Sequence, residues 1–267
     1  MRREAALAML KFIHISDLHF HRKPENNIAI VGTLEYIRQE YPYHYVIVTG
    51  DIVDDGHEGQ YQQAQAALLP FRGRVFVCPG NHDFGPRGNF YSPECATRFD
   101  RWLAEPLDQG GTFAGENFPV LHLLKDGNQR ILIIALDTTI ETQNPLSFAC
   151  GEVGSTQLTA LDKLLSDPDL ADMVVIVCFH HHPFLHNDRF LKLLDARELM
   201  RILYGRVHLV LFGHRHVSKM WRDTLGIPYI LACDNTPGKA YVREITIAQK
   251  HIDVKFTTIE DPWDIVA

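Results

Sequence analysis

Val46-Ile-Val-Thr-Gly-Asp-Ile-Val-Asp54 is an apolar, β-branched run that ends in a glycine and two carboxylates, Asp51 and Asp54. It is apolar on both faces rather than alternating, so it reads as a buried parallel strand. Gly50 permits a tight exit in which backbone can approach a ligand. Asp51 falls just past the strand's C-terminal end, where open α/β sheets carry their sites. Four more runs repeat the pattern. Residues 12–16 lead to Asp17-Leu-His19, 74–79 to Gly80-Asn-His-Asp83, 173–179 to His180-His-His-Pro183, and 207–212 to Gly213-His-Arg-His216. Loops gather polar residues in any case, which explains one or two such endings. It does not explain five, three of them with Gly directly before the polar residue.

The segments between these runs give a strand–helix–strand succession, which predicts right-handed βαβ units in a mostly parallel sheet. Residues 26–40 carry Ile28, Val31, Leu34 and Ile37 at helical spacing. Helices are also expected over 58–69, ending before Pro70, over 155–165 with Ser155 as N-cap, and over 189–203. Residues 120–124 and 131–136 read as a hairpin across Asp126-Gly-Asn128, and 229–231, 241–247 and 252–256 as strands. Residues 84–117 are irregular and rich in Gly, Pro and aromatics, with a helix over 93–103. Such an insertion beside a site is a candidate substrate rim. A solvated loop over a small core around Phe99 and Trp102 is the equal alternative. No repeat or linker divides the chain. Residues 11–267 read as a single domain preceded by an N-terminal extension, 1–10, of disordered character.

A length of 267 residues, 46% apolar and 22% charged, suits one large soluble α/β domain. A net charge of −7 leaves no electrostatic footprint for nucleic acid or anionic membrane, so neither is expected as a partner. The five cysteines, 78, 95, 150, 178 and 233, are odd in number and widely spaced, with no Cys-x-x-Cys pair. Cys78 and Cys178 sit inside apolar strands and read as small buried hydrophobes. The expected compartment is therefore reducing and cytoplasmic. The apolar stretch before Lys11 is too short for a signal peptide, and Met9 is as good a start as Met1. No segment is long enough to span a membrane.

Fifteen His is a high number, and most of the excess gathers at the strand ends. The collected residues are Asp17, His19, Asp51, Asn81, a His from 180–182, His214 and His216. They are N and O donors without a Cys, which suits hard-to-borderline metals such as Mn, Fe or Zn. Seven donors exceed one tetrahedral site but suit two adjacent divalent ions, with Asp51 of the central strand as the natural bridge. Paired ions are the usual device for displacement at phosphorus, and they lower the pKa of bound water to as little as about 7, supplying a hydroxide nucleophile. His82, next to Asn81, would face the substrate and donate a proton to the leaving oxygen. Asp54 and Asp83 are placed to orient the ligating groups, with local turn capping an equal role for Asp54.

Asp-x-His, Gly-Asp-x-x-Asp, Gly-Asn-His-Asp, a His before x-Pro and Gly-His-x-His occur here in that order across residues 12–216. This set resembles the calcineurin-like metallophosphoesterases. The resemblance implies a four-layer α/β/β/α sandwich, two mixed β-sheets flanked by helices. It also implies ligands for the two ions: Asp17, His19, Asp51 and His216 for one, and Asp51, Asn81, His181 and His214 for the other, with Asp51 and His82 at the chemistry. His181 is chosen because the family's ligand lies two residues before Pro. Alternation would put His180 and His182 on the opposite face, with His182, like Arg87, a candidate substrate contact. Phosphoprotein phosphatases of the superfamily carry Gly-Asp-x-Val-Asp-Arg-Gly and Gly-Asn-His-Glu. Asp55 and Asp83 stand at the Arg and Glu positions here, which argues against that branch.

Leu136-Asp-Thr138, Gly151 with Gln157, and His181-His-Pro183 are similar to the class III cyclic-nucleotide phosphodiesterases. Asp234-Asn-Thr-Pro237 departs from that branch's Pro-Ser-Thr loop. The implied activity is hydrolysis of a small phosphodiester, with a 3',5'-cyclic nucleotide the leading substrate. Alternatives are a lipid-linked pyrophosphate or phospholipid diester under an apolar 84–117 cap, a broad small-molecule phosphomonoester, or a silent metal-holding scaffold. A nuclease is disfavoured because no basic stripe tracks a phosphate backbone. The oligomeric state stays open, a homodimer included. His21, His57 and His186 border the ligand loops, and Trp221 and Tyr229 read as core or sheet-edge aromatics.

Overall fold

The apolar runs do not join one sheet. The computed structural model describes residues 9–85, 88, 90–115, 119–139, 149–185 and 187–259. Its first half runs β1 (Met9–Ile15), α1 (Ile28–Glu40), β2 (Tyr45–Thr49), α2 (Glu58–Leu68), β3 (Val75–Cys78), α3 (Asn81–Phe84) and α4 (Pro93–Phe99). Then follow β4 (Val120–Asp126), β5 (Gln129–Ala135), α5 (Ser155–Leu165), β6 (Val174–Cys178), α6 (Ala196–Leu203) and β7 (Leu209–Phe212). The chain closes with β8 (Lys219–Thr224), β9 (Ile227–Ala232), β10 (Tyr241–Ala248) and β11 (His251–Thr258). One sheet has the order β11-β10-β1-β2-β3 and the other β4-β5-β6-β7-β9-β8. Both are mixed: β1, β2 and β3 are parallel, as are β5, β6, β7 and β9, while β4, β8, β10 and β11 run antiparallel to their neighbours.

Strand alternation divides the interior. Ile131, Ile133, Ile176, Cys178, Leu209 and Leu211 face the first sheet and join one core with α1 and α2. Leu132, Ile134, Val175, Val177, Val210 and Phe212 face the other way, onto α5 and α6. The result is the expected four-layer sandwich. Burial on both faces is why these strands read as unbroken apolar runs. The free edge of β3 is closed by one side chain: Gln109 accepts from Val77 N and donates to Val75 O, both at 2.8 Å, which blunts an exposed edge.

Several local expectations are corrected. Met9 and Leu10 already belong to β1, within the stretch read as an extension; residues 1–8 lie outside the described ones. The buried stripe of α1 is Ile30, Leu34 and Ile37, with Ile28 exposed. Ser155 is the first residue of α5 and Gly154 its cap. In place of a side-chain cap, the Asp195 carboxylate accepts from Val153 N and Gly154 N. The helix expected over 189–203 begins only at Ala196. In the insertion, α4 passes into a π-helical turn, Asp100–Ala104. Phe84, Phe99, Leu103 and Phe113 pack into the main core rather than a satellite. No helix among the described residues is long and apolar enough to cross a membrane.

Candidate metal centre

β1, β2, β3, β6 and β7 all end at the same rim, so the five polar endings converge between the sheets. Glycines make the approach possible. A Cβ on Gly80 would lie 2.3 Å from Asp51 Oδ1, and one on Gly213 would lie 1.9 Å from Ser16 Oγ. Asp17 N donates to Gly50 O (3.1 Å) and His19 N to Asp51 O (2.9 Å), which locks the first two loops together. His214 N donates to Asp17 Oδ1 (3.0 Å), which ties the second sheet to the first. Among the described residues nine non-glycines have positive φ, and five of these are Asp17, His19, Asp51, His214 and His216. Backbone strain is therefore concentrated at this rim, as at functional sites generally.

The donors form two groups that share Asp51. Ligand atoms of Asp17, His19, Asp51 and His216 lie within 4.8 Å of one another, as do those of Asp51, His180 and His214. In the first group His19 Nε2 stands 3.2 Å from His216 Nε2 and 3.9 Å from Asp51 Oδ2. Asp17 Oδ2 is buried and without a hydrogen-bond partner. In the second group the hydrogen bonds fix the tautomers. His180 Nδ1 donates to Thr49 O (2.8 Å) and His214 Nε2 to Leu191 O (3.1 Å), so each ring turns its other nitrogen inward. Asn81 Nδ2 donates to Gly88 O (3.0 Å), which turns Oδ1 inward as well. His214 Nδ1 then lies 3.0 Å from Asn81 Oδ1 and 3.2 Å from His180 Nε2, while His180 Nε2 lies 3.1 Å from Asp51 Oδ2. His214 Nδ1 and Asn81 Oδ1 face each other as acceptors beside the Asp51 carboxylate, and in the absence of an ion the proton that His180 holds is the positive charge among them. Only positive charge resolves that, so the residues fit a pair of cations.

The electrostatics agree. Burial works against protonation of His180, yet the Asp51 and Asp17 carboxylates push it up to about 9. Burial, with His180 beside it, lowers His214 to about 3, and burial with His19 lowers His216 to about 4. His214 and His216 stay neutral, the form that binds metals, whereas His180 holds a proton that a metal ion would have to replace. Burial alone would raise Asp51, but His180 and His82 hold it well below the carboxylate range.

At the place expected of His181 the chain puts two neighbouring imidazoles, His180 and His181, beside His214. His180 meets Asp51 Oδ2 and His214 Nδ1, because it continues the face of Ile176 and Cys178 that looks at the first sheet, while the His181 ring lies 4.5 Å from that of His214 with its Nε2 buried and without a hydrogen-bond partner. His181 Nδ1 pairs with Thr138 Oγ1 at 2.8 Å. His182 turns away, its ring against Phe212 (4.9 Å), Phe184 and Trp221 on the helix side of the second sheet. His82 adjoins the first group: its N donates to Asp51 Oδ1 (2.9 Å), its Nδ1 to Asp54 O (2.6 Å), and its ring meets His19 edge-on. Asp54 Oδ1 is 3.7 Å from His19 Nδ1. Asp83 braces two loops, accepting from Val53 N and Gly80 N at 2.8 Å. Burial, with Asp51 nearby, pushes Asp83 up to about 7. His57 caps α2. Arg87 and His186 lie outside the described residues.

A family model for calcineurin-like phosphoesterases matches residues 10–218. A Haemophilus influenzae protein named 3',5'-cyclic adenosine monophosphate phosphodiesterase CpdA is 27% identical over 82% of this chain and 74% of its own. A Coxiella burnetii protein named a probable cyclic nucleotide phosphodiesterase is 26% identical over 91% of this chain and 90% of its own. A solved dimetal phosphatase from Danio rerio shares the fold, with a TM-score of 0.68 at 15% identity over 94% of this chain and 96% of that one.

Proposed function

The chain belongs to the calcineurin-like phosphoesterase family, and from that premise we propose that it hydrolyses a small phosphodiester, with a 3',5'-cyclic nucleotide the leading candidate. One observation carries the reading: buried acceptors from both sheets face one another around the shared carboxylate of Asp51. Asp17, His19, Asp51 and His216 would hold one divalent ion, and Asp51, Asn81, His180 and His214 would hold the other. Mn, Fe and Zn all suit this N/O set. When bound, such a pair supplies charge that stabilises oxygens on phosphorus and a lowered pKa for water.

The chain's own residues do the rest. Asp54 O holds His82 Nδ1–H, which leaves Nε2, beside Gly88, as the ring nitrogen free for the chemistry. In its imidazolium form His82 carries a proton there for the leaving oxygen. Asp83 keeps the Asp51 and Asn81 loops in register, so the reacting groups meet in a fixed geometry.

The names of the Haemophilus and Coxiella relatives support a diester, and a cyclic nucleotide within that class. The lipid alternative needs an apolar cap, and among the described residues of the insertion Phe84, Phe99 and Phe113 are buried in the core while Phe90 is exposed. Five free, buried thiols go with a reducing cytoplasmic setting. The test is Mn(II)-reconstituted protein assayed side by side on a chromogenic phosphodiester and the matching monoester. Diester preference is expected, followed by turnover of a cyclic nucleotide. Monoester preference would reassign the substrate class. Hydrolysis of neither, with two ions bound, would remove the small-substrate reading.

A further inference from the structure

Asp234-Asn-Thr-Pro-Gly-Lys239, between β9 and β10, is where the chain departs from the Pro-Ser-Thr loop of cyclic-nucleotide phosphodiesterases. Its polar groups grip the two loops that carry Asp17 and His216. Asn235 N donates to Ser16 O (2.8 Å), and Asn235 Oδ1 accepts from Ser16 N (3.2 Å). Both backbone groups of the residue before Asp17 are thus held. Asn235 Nδ2 donates to Tyr241 O (2.7 Å), anchoring the grip on β10.

On the other side, Lys239 Nζ donates to His216 O (2.9 Å) and pairs with the buried Asp234 carboxylate. Asp234 is itself fixed by Thr236 N (3.1 Å) and Thr236 Oγ1 (2.7 Å). The hold matters because His216 sits at φ 51° and His214 at φ 76°. Non-glycine residues keep such a backbone only where the surroundings over-determine it.

We infer that Asp234, Asn235 and Lys239 form a clamp that positions the Asp17–His216 side of the site, with Lys239 a positioning residue. The inference rests on the dinuclear reading. A substrate-binding role for Lys239 fits less well: its charge is matched by Asp234, and two of its three N–H groups are engaged internally.

The experiment is calorimetric titration of metal-depleted wild type, K239M and K239R with Mn(II), together with kcat and KM for a diester at saturating Mn(II). Lys239 is half-exposed, so the fold should persist in both variants, checked by near-UV circular dichroism. Loss of a partner behind a metal ligand costs roughly 10–100-fold in affinity. K239M is therefore expected to weaken one of the two Mn(II) equivalents by about that factor and leave the other unchanged. K239R, which can reach both acceptors, is expected to restore it. Wild-type affinity for both ions in K239M would overturn the clamp. So would a raised KM with both affinities intact, which would make Lys239 a substrate contact. Failure of the wild type itself to take two equivalents would instead overturn the dinuclear reading.

Discussion

His180 and His181 are adjacent and fully buried, yet they meet different partners. His180 Nε2 lies 3.1 Å from Asp51 Oδ2, while His181 Nδ1 pairs with a threonine hydroxyl. Their alanine variants should therefore separate. His180→Ala is expected to lose one of two Mn(II) equivalents and with it most turnover, whereas His181→Ala keeps both ions. Metal content by mass spectrometry of the dialysed proteins decides it, and loss of an ion only in His181→Ala would reverse the assignment. Counting back from Pro183 points to His181, whereas counting forward from β6 points to His180, since Ile176 and Cys178 set the face that His180 continues. Asp17, His19, Asp51, Asn81, His214 and His216 were legible because each follows an apolar run, and the fold does bring them together. Their left-handed backbone was not legible, because positive φ is a minority conformation even for Asp and His, which are enriched there.

Elements were legible where the residues face a core and illegible where their backbone serves something else. Residues 189–195 have helical character, but Leu191 O accepts from His214 and Lys192 O from Gly151 N, so tertiary partners replace the first turns of the expected helix. β8, Lys-Met-Trp-Arg-Asp-Thr, is an edge strand with mostly exposed residues and gives no apolar signal. β4 is the opposite edge, and its His122 ring lies against Phe76 at 4.5 Å. Burial lowers His122 to about 4. The unfolded chain takes up a proton near 6.5 while the folded chain does not. Stability linked to His122 is thus fully present above 6.5 and is lost as pH falls toward 4. His122→Phe should flatten that part of the profile: the difference between wild-type and variant denaturant midpoints changes between pH 6.5 and 4 and is constant above. A constant difference throughout would show that the ring is hydrated in the native state.

At the scale of the whole molecule, the site is a polar junction between two sheets that elsewhere meet mainly through apolar packing, with Arg243 of β10 donating to Ala232 O of β9 (2.6 Å) as a second polar link. Asp17, His19, Asp51 and Asn81 come from loops of the first sheet, and His180, His214 and His216 from loops of the second. Neither sheet alone supplies a full set. Ions bound there would cross-link the layers and bind the native state but not a chain whose loops have separated. Linkage then gives about 2.7 kcal/mol per site at a free concentration one hundred times Kd. For a chain of this size, where 1 kcal/mol moves the midpoint by roughly 2–4 °C, each ion should raise Tm by about 5 °C or more. Chelation should reverse the rise, and Asp51→Asn, which removes the shared charge, should abolish most of it. Calorimetric scans of wild type and variant, with Mn(II) and with EDTA, measure all four states. An unchanged wild-type midpoint with two ions bound would mean that the unfolded chain binds them as tightly as the folded one, so that bringing donors of both sheets together adds nothing to their binding.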